Sequence, residues 1–199
     1  MQRLDVEQDD QSIADAAKNF NRLEHVLLQN RTLTLFGEIN QDVARRMAEK
    51  LLALAFESDE PITLYIGSPG GHVESGDTIF DLIRYIKPEV RIIGTGWVGS
   101  IATHIYLAAD KDNRFALPNT RFLIHQPSGG FGGDAADIEI HAREILKTRE
   151  RINGIIAERT GQSIDRVGED TQRDYWMSAE ESVEYGLVGK IISDISEVD

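Results

Sequence analysis

Three residues far apart in the chain carry the side chains of acyl-transfer chemistry: Ser100, His125 and Asp174. Ser100 closes the stretch Gly94-Thr-Gly-Trp-Val-Gly99, after the β-branched run Val90-Arg-Ile-Ile93 and before a helix-competent segment. A serine so placed is expected on a sharp turn at a helix N-terminus, and its alcohol needs an adjacent base to become a nucleophile. His125 ends the apolar run Arg121-Phe-Leu-Ile124, so it is expected where a strand gives way to a loop. Asp174, in Gln172-Arg-Asp-Tyr175, is a carboxylate suited to fix the imidazole tautomer and stabilise the imidazolium. The three together predict a serine peptidase.

Positioning such residues requires strands that end at one edge of a sheet. Thr32–Phe36, Ile62–Ile66, Val90–Gly94, Arg114–Leu117, Phe122–Ile124 and Lys190–Ser193 read as strands. Between them, Asn40 is an N-cap for a helix with Val43, Met47, Leu51 and Leu54 on one face. A second helix aligns Ile79, Leu82, Ile83 and Ile86 and stops before Pro88. A third starts near Ser100, and a long one follows Asp134 with Ile138, Ala142, Ile145, Ile152 and Ile156 at helical spacing. Ser178-Ala-Glu-Glu181 is a capping box for a short helix ended by Gly186. Strand–helix alternation of this kind predicts an α/β fold with a largely parallel sheet.

The bulk numbers narrow the function. At 199 residues the chain is expected to form a single domain over 26–199, preceded by a flexible acidic arm over 1–25. A formal charge of −13 without a Lys/Arg cluster excludes a nucleic-acid surface. The absence of cysteine excludes a disulfide framework and a thiol nucleophile. There is no secretory h-region and no apolar run near the ~20 residues that span a bilayer, so a cytoplasmic location is expected.

Gly94–Gly99 matches G-x-G-x-x-G, but Asp110 and Asp112 precede the next strand instead of ending it, which sets nucleotide binding aside. Gly67-Ser-Pro-Gly-Gly71 is either an ordinary turn or backbone that brings N–H groups close to a substrate oxyanion. No Gly-Lys-Ser/Thr run exists, so this chain has no P-loop. His25, His72, His104 and His141 lack metal-ligand spacing, and no metal is expected. His104 and His141 read as packing or surface residues, while His72, next to Gly71, reads as a pocket-lining candidate. Gly129–Gly133 is either a flexible loop or an extended segment that pairs with a peptide.

Six stretches keep register from about residue 31 to 193: Ser68–Gly71, Tyr85–Pro88, Arg114–Asn119, Ile124–Pro127, Asp137–Leu146 and Glu184–Val188. Jointly they resemble the ClpP family, the proteolytic subunits of the Clp protease. The resemblance implies a crotonase/ClpP-like ββα superhelix with a protruding handle helix from Asp134. It implies Ser100 as nucleophile, His125 as general base and acid, and Asp174 as its orienter. The backbone amides of Gly71 and Ile101 would form the oxyanion hole, and Gly129, Gly130 and Phe131 a substrate-binding loop. Tyr65, Tyr85, Ile93 and Phe115 would form a groove for docking an ATPase. No cofactor is implied, because a partner AAA+ ATPase hydrolyses ATP and delivers unfolded proteins. Stacked heptameric rings are implied, either homomeric or mixed with a paralogue. The alternative is a weakly active or inactive ring subunit that assembles with an active paralogue. Trp97 and Ile101 stand where the family has smaller residues and methionine, and are expected to reshape the substrate pocket.

Overall fold

Parallel strands need their hydrogen-bonding edges covered and both faces packed, and this chain meets that need by alternating strand and helix. A computed structural model describes residues 22–128 and 132–198. Strands β1 (Thr32–Phe36), β2 (Ile62–Ser68), β3 (Val90–Gly99), β4 (Arg114–Ala116) and β7 (Lys190–Ile191) lie side by side in that order, all parallel. The α-helices are α1 (residues 22–29), α2 (Gln41–Glu57), α3 (Val73–Tyr85), α4 (Ile101–Tyr106), α5 (Ala135–Thr160), α6 (Ile164–Asp170) and α7 (Ala179–Tyr185). Most of the expected arm lies outside the described residues; its last residues, 22–25, belong to α1.

Strand β3 differs from the expected Val90–Gly94: it runs on through the glycine stretch to Gly99. Its first half pairs with β4 through Ile92–Gly94, and its second half pairs with β5 (Arg121–Ile124) through Trp97–Gly99. Glycine makes this possible. Gly96 takes φ +61° at the bend, and a Cβ on Gly94 would press on the Phe122 ring at 3.0 Å. Strand β6 (Tyr175–Met177), which local periodicity did not reveal, adds antiparallel to β5. β4 and β7 are each shorter than expected, ending at Ala116 and Ile191.

The core gathers Leu33, Leu51, Leu64, Ile79, Ile92, Phe122 and their neighbours under the helices. Asn40 caps α2 by accepting the Val43 N–H at 3.0 Å, and Ser178 and Glu181 close the capping box of α7. Helix C-termini leave carbonyls without partners, and three arginines supply the donors. Arg31 donates to Leu54 O at the end of α2. Arg159 donates to Leu107 O and Ala109 O beyond α4. Buried Arg114 donates to Arg159 O in the last turn of α5 and to Gly186 O at the end of α7. Burial among few counter-charges pulls the Arg114 guanidinium down to about 10.

The long helix α5 is divided. Its buried residues are Ile152, Asn153 and Ile156, all in the second half. Ile138, Ile140 and Leu146 in the first half are about half exposed. No helix among the described residues is long and apolar enough to cross a membrane.

Candidate active site

The carboxyl ends of β2 and β3, together with β5 and β6, converge on one point. Ser100 follows β3 directly and takes φ 57°, ψ −127°, a conformation an L residue adopts at a cost of ~1–3 kcal/mol. Its N–H donates to Leu123 O at 2.9 Å, which ties the turn to β5, and its own carbonyl accepts the Thr103 N–H at 3.0 Å. The Thr103 hydroxyl lies 3.0 Å from Val98 O and 2.9 Å from Leu123 O, so one buried side chain joins α4 to the ends of two strands.

Register brings the other two groups together. Ile124 pairs with Tyr175 in the antiparallel β5–β6 ladder, so His125, one residue later, faces Asp174, one residue earlier. Gln126 brackets them: its N–H donates to Thr171 O at 2.7 Å and its side-chain amide to Gln172 O at 3.0 Å. His125 Nδ1 lies 2.9 Å from Asp174 Oδ1, and Nε2 lies 2.8 Å from Ser100 Oγ. An ionised carboxylate only accepts, so Nδ1 carries the proton and Nε2 is left to accept the Ser100 hydroxyl proton. That is the tautomer a general base needs.

The glycine turn after β2 comes up beside Ser100. A Cβ on Gly70 would sit 2.7 Å from Ser100 Cβ, so only glycine permits this approach. Ser68 fixes the turn, donating to Gly37 O at 2.6 Å and accepting the Gly70 N–H at 3.0 Å. Ile39 pairs across it, donating to Gly70 O and accepting from the His72 N–H, both at 2.8 Å. That pairing leaves the Gly71 N–H out of the ladder, and Ile101, the first residue of α4, has no intrahelical acceptor for its own N–H.

The other expected residues occupy different parts of the fold. The Ile101 side chain is buried against Gly76 of α3, where an added Cβ would collide with Ile101 Cγ1. Trp97 is partly exposed and tilts against Trp176 at 5.4 Å, with the Arg121 guanidinium 4.6 Å above the Trp176 ring. His72 caps α3, accepting the Ser75 N–H at 3.3 Å. Tyr65, Ile93 and Phe115 form a row across β2, β3 and β4, but Ile93 and Phe115 are buried in a cluster with Ile192 and Val198. Tyr85 is exposed at the end of α3 and is not part of that cluster. The loop Gly129, Gly130 and Phe131 lies outside the described residues. Among the described residues no group of His, Asp and Glu is arranged to hold a metal ion. Gln126, Thr103 and Gly76, which position the site, carry no local signal that sequence reasoning could read.

Comparison with known proteins gives a consistent result. The Clp protease family model matches residues 15–194. The ATP-dependent Clp protease proteolytic subunit 3 of Rhizobium etli is 54% identical over 172 residues, covering 86% of this chain and 89% of that protein. The proteolytic subunit 2 of Pseudomonas aeruginosa is 50% identical over 177 residues, covering 89% of this chain and 88% of the other. Among solved structures, ClpP1 from Listeria monocytogenes superposes with a TM-score of 0.81 at 48% identity, covering 89% of this chain and 99% of that one. A point mutant of the same protein gives a TM-score of 0.84 at 50% identity, with the same coverage. With sequence and architecture shared over nearly the whole of these relatives, the chain belongs to the Clp protease family, as a proteolytic subunit of the serine-peptidase type.

Proposed function

We propose that Ser100 is the nucleophile of this peptidase, His125 its general base and acid, and Asp174 the group that orients the imidazole. One observation carries the reading: an unbroken chain of contacts, 2.8 Å from Ser100 Oγ to His125 Nε2 and 2.9 Å from Nδ1 to Asp174. In the reaction, Ser100 Oγ bonds to the peptide carbonyl carbon while its proton passes to His125 Nε2. The imidazolium returns that proton to the departing amine, and a water then hydrolyses the acyl-enzyme by the same base. The amides of Gly71 and Ile101 receive the oxyanion; losing one such donor typically costs ~3 kcal/mol of barrier.

The same reading extends to assembly. The apolar outer half of α5 is covered by a second ring, and the rings are stacked heptamers in the cytoplasm. Unfolded polypeptides arrive from an AAA+ ATPase, which supplies the ATP hydrolysis that a chain without a P-loop lacks. Supporting this are the half-exposed Ile138, Ile140 and Leu146 and the relatives named as ATP-dependent subunits.

The test is labelling by a fluorophosphonate, located by peptide mass spectrometry, beside the Ser100→Ala protein. We expect the probe on Ser100, and a loss of peptide cleavage of at least ~1,000-fold in Ser100→Ala with the assembled mass unchanged. Cleavage at the wild-type rate by Ser100→Ala removes the reading.

A further inference from the structure

A helix as short as α4, six residues, does not hold its own geometry in isolation, so its position is set by what its side chains rest on. Its first turn rests on three residues of α3, Gly76, Asp77 and Phe80. Ile101 sits on Gly76, while His104 stacks on Phe80 at 4.3 Å between ring centroids and meets Asp77 with Nε2 3.2 Å from Oδ1. The His104 side chain is 1% exposed and that of Asp77 20%. Asp77 is gripped from its other side by Arg151 of α5, whose two guanidinium nitrogens lie 2.8 and 2.6 Å from the two carboxylate oxygens.

Packing alone does not explain this cluster. A buried imidazole has only to fill space beside Phe80, and an apolar ring would do so without desolvating a carboxylate. Among the described residues neither His104 nitrogen has a hydrogen-bond partner of good geometry: Nε2 lies 3.2 Å from Asp77 Oδ1 as a charge contact, and Nδ1 has no partner. Burial pushes the Asp77 carboxyl up, but the contacts from His104 and Arg151 outweigh that and hold it at about 2, so it is ionised at neutral pH. The other charges facing Arg151 are Asp81 and Glu74, both on α3. The effect on the chemistry follows from sequence position. His104 is one helical turn after Ser100, and its N–H points at Ser100 O at 3.4 Å. A shift of His104 therefore carries with it both the strained Ser100 turn and the Ile101 amide, and a 1 Å misplacement in such a site costs roughly 100-fold in rate.

We propose that Asp77, braced by Arg151 of α5, seats His104 and thereby sets the position of Ser100 and the Ile101 amide, making His104 and Asp77 positioning residues. The inference rests on Ser100 being the nucleophile. It links the acylation geometry to the long helix through a carboxylate that touches neither substrate nor triad.

The experiment uses the assembled protein and a short fluorogenic peptide, with kcat and KM measured separately and assembled mass followed by native mass spectrometry. His104→Phe keeps the ring on Phe80 and removes the polar edge that faces Asp77, whereas His104→Gln keeps a polar N–H beside the carboxylate. Asp77→Asn is isosteric and decides the question should His104→Phe fail to fold. We expect His104→Phe and Asp77→Asn each to lower kcat about fivefold or more, with KM within about twofold and mass unchanged. His104→Gln should stay within about twofold of wild type, and the double variant should be no slower than the slower single, as coupled residues require. Wild-type kcat in His104→Phe or Asp77→Asn, or a fall only in proportion to lost assembled protein, overturns the proposal. Ser100→Ala run alongside separates the failures: if it stays active the nucleophile is wrong, and if it alone is inactive only the seat is wrong.

Discussion

The two ends of α4 are held by different kinds of partner. At the C-terminal end, Arg159 donates to the carbonyls of Leu107 and Ala109, and Arg114 in turn donates to Arg159 O. Apart from the exposed Asp110 carboxylate, the acceptors in that chain are backbone, and a backbone carbonyl at a helix end offers one fixed position. At the N-terminal end, the seat is made by side chains of α4: Ile101 in the space left by Gly76, and His104 beside Asp77, with Arg151 behind it. Side chains have rotamers, so this end is adjustable where the other is anchored. The difference teaches that the molecule places its stability at one end of a six-residue helix and its chemistry at the other.

Breaking the anchored end should give the largest effect on stability. Arg159→Met removes the donor from two carbonyls and frees Asp110, and should cost about 3 kcal/mol in denaturant unfolding. The kcat of the remaining folded protein should be unchanged, and a fall in kcat would erase the distinction between the ends. Gly76→Ala works on the adjustable end. Its Cβ collides with Ile101 Cγ1, and the overpacking should cost about 1–3 kcal/mol. Here kcat should fall several-fold more than stability explains, and a purely thermal effect would count against the seat.

Acid sharpens the same comparison with the smallest effect. The folded-state value of Asp77, about 2, lies below the ordinary 3.8, so its contribution is present above the ordinary value and is lost as pH falls through about 2. The stability gap between wild type and Asp77→Asn should therefore be constant near neutrality and narrow between about pH 4 and 2. The gap for Arg159→Met should narrow in acid only through its exposed pair with Asp110, whose carboxyl the Arg159 guanidinium holds below the ordinary value, because its contacts to the Leu107 and Ala109 carbonyls do not titrate.

Much of this arrangement was legible in the sequence because its signals are local. Asn40 before an amphipathic run, Ser178 three residues before Glu181, and serine after a glycine stretch each declare themselves within a few positions. His125 and Asp174 were legible as types, and the antiparallel register of Ile124 with Tyr175 supplies their distance. What escaped reading is what depends on distant partners. Strand β3 runs past Gly94 because Arg121–Leu123 pairs with Trp97–Gly99, with Ser68 of β2 opposite Val98 on the other side. His104 read as a packing residue because Asp77 lies 27 positions earlier and Arg151 47 later, on different helices. The core seat of the Ile101 side chain depends on Gly76, 25 positions earlier on another helix. The Arg114 contact to Gly186, 72 residues away, leaves no local trace at all.

Helix α5 gives the adjustable end a mechanical property. Its 26 residues measure ~39 Å, and its buried grip is confined to Ile152, Asn153 and Ile156. Roughly 25 Å of helix projects ahead of that grip, which makes the helix a lever with its fulcrum at Ile152. A swing of ~10° sweeps the far tip through ~4 Å, while Arg151, beside the fulcrum, moves by well under ~1 Å. Whatever takes hold of the outer arm is thus geared down before it reaches Asp77, trading a wide, weak motion for a small, stiff one on the scale at which Ser100 must be aimed.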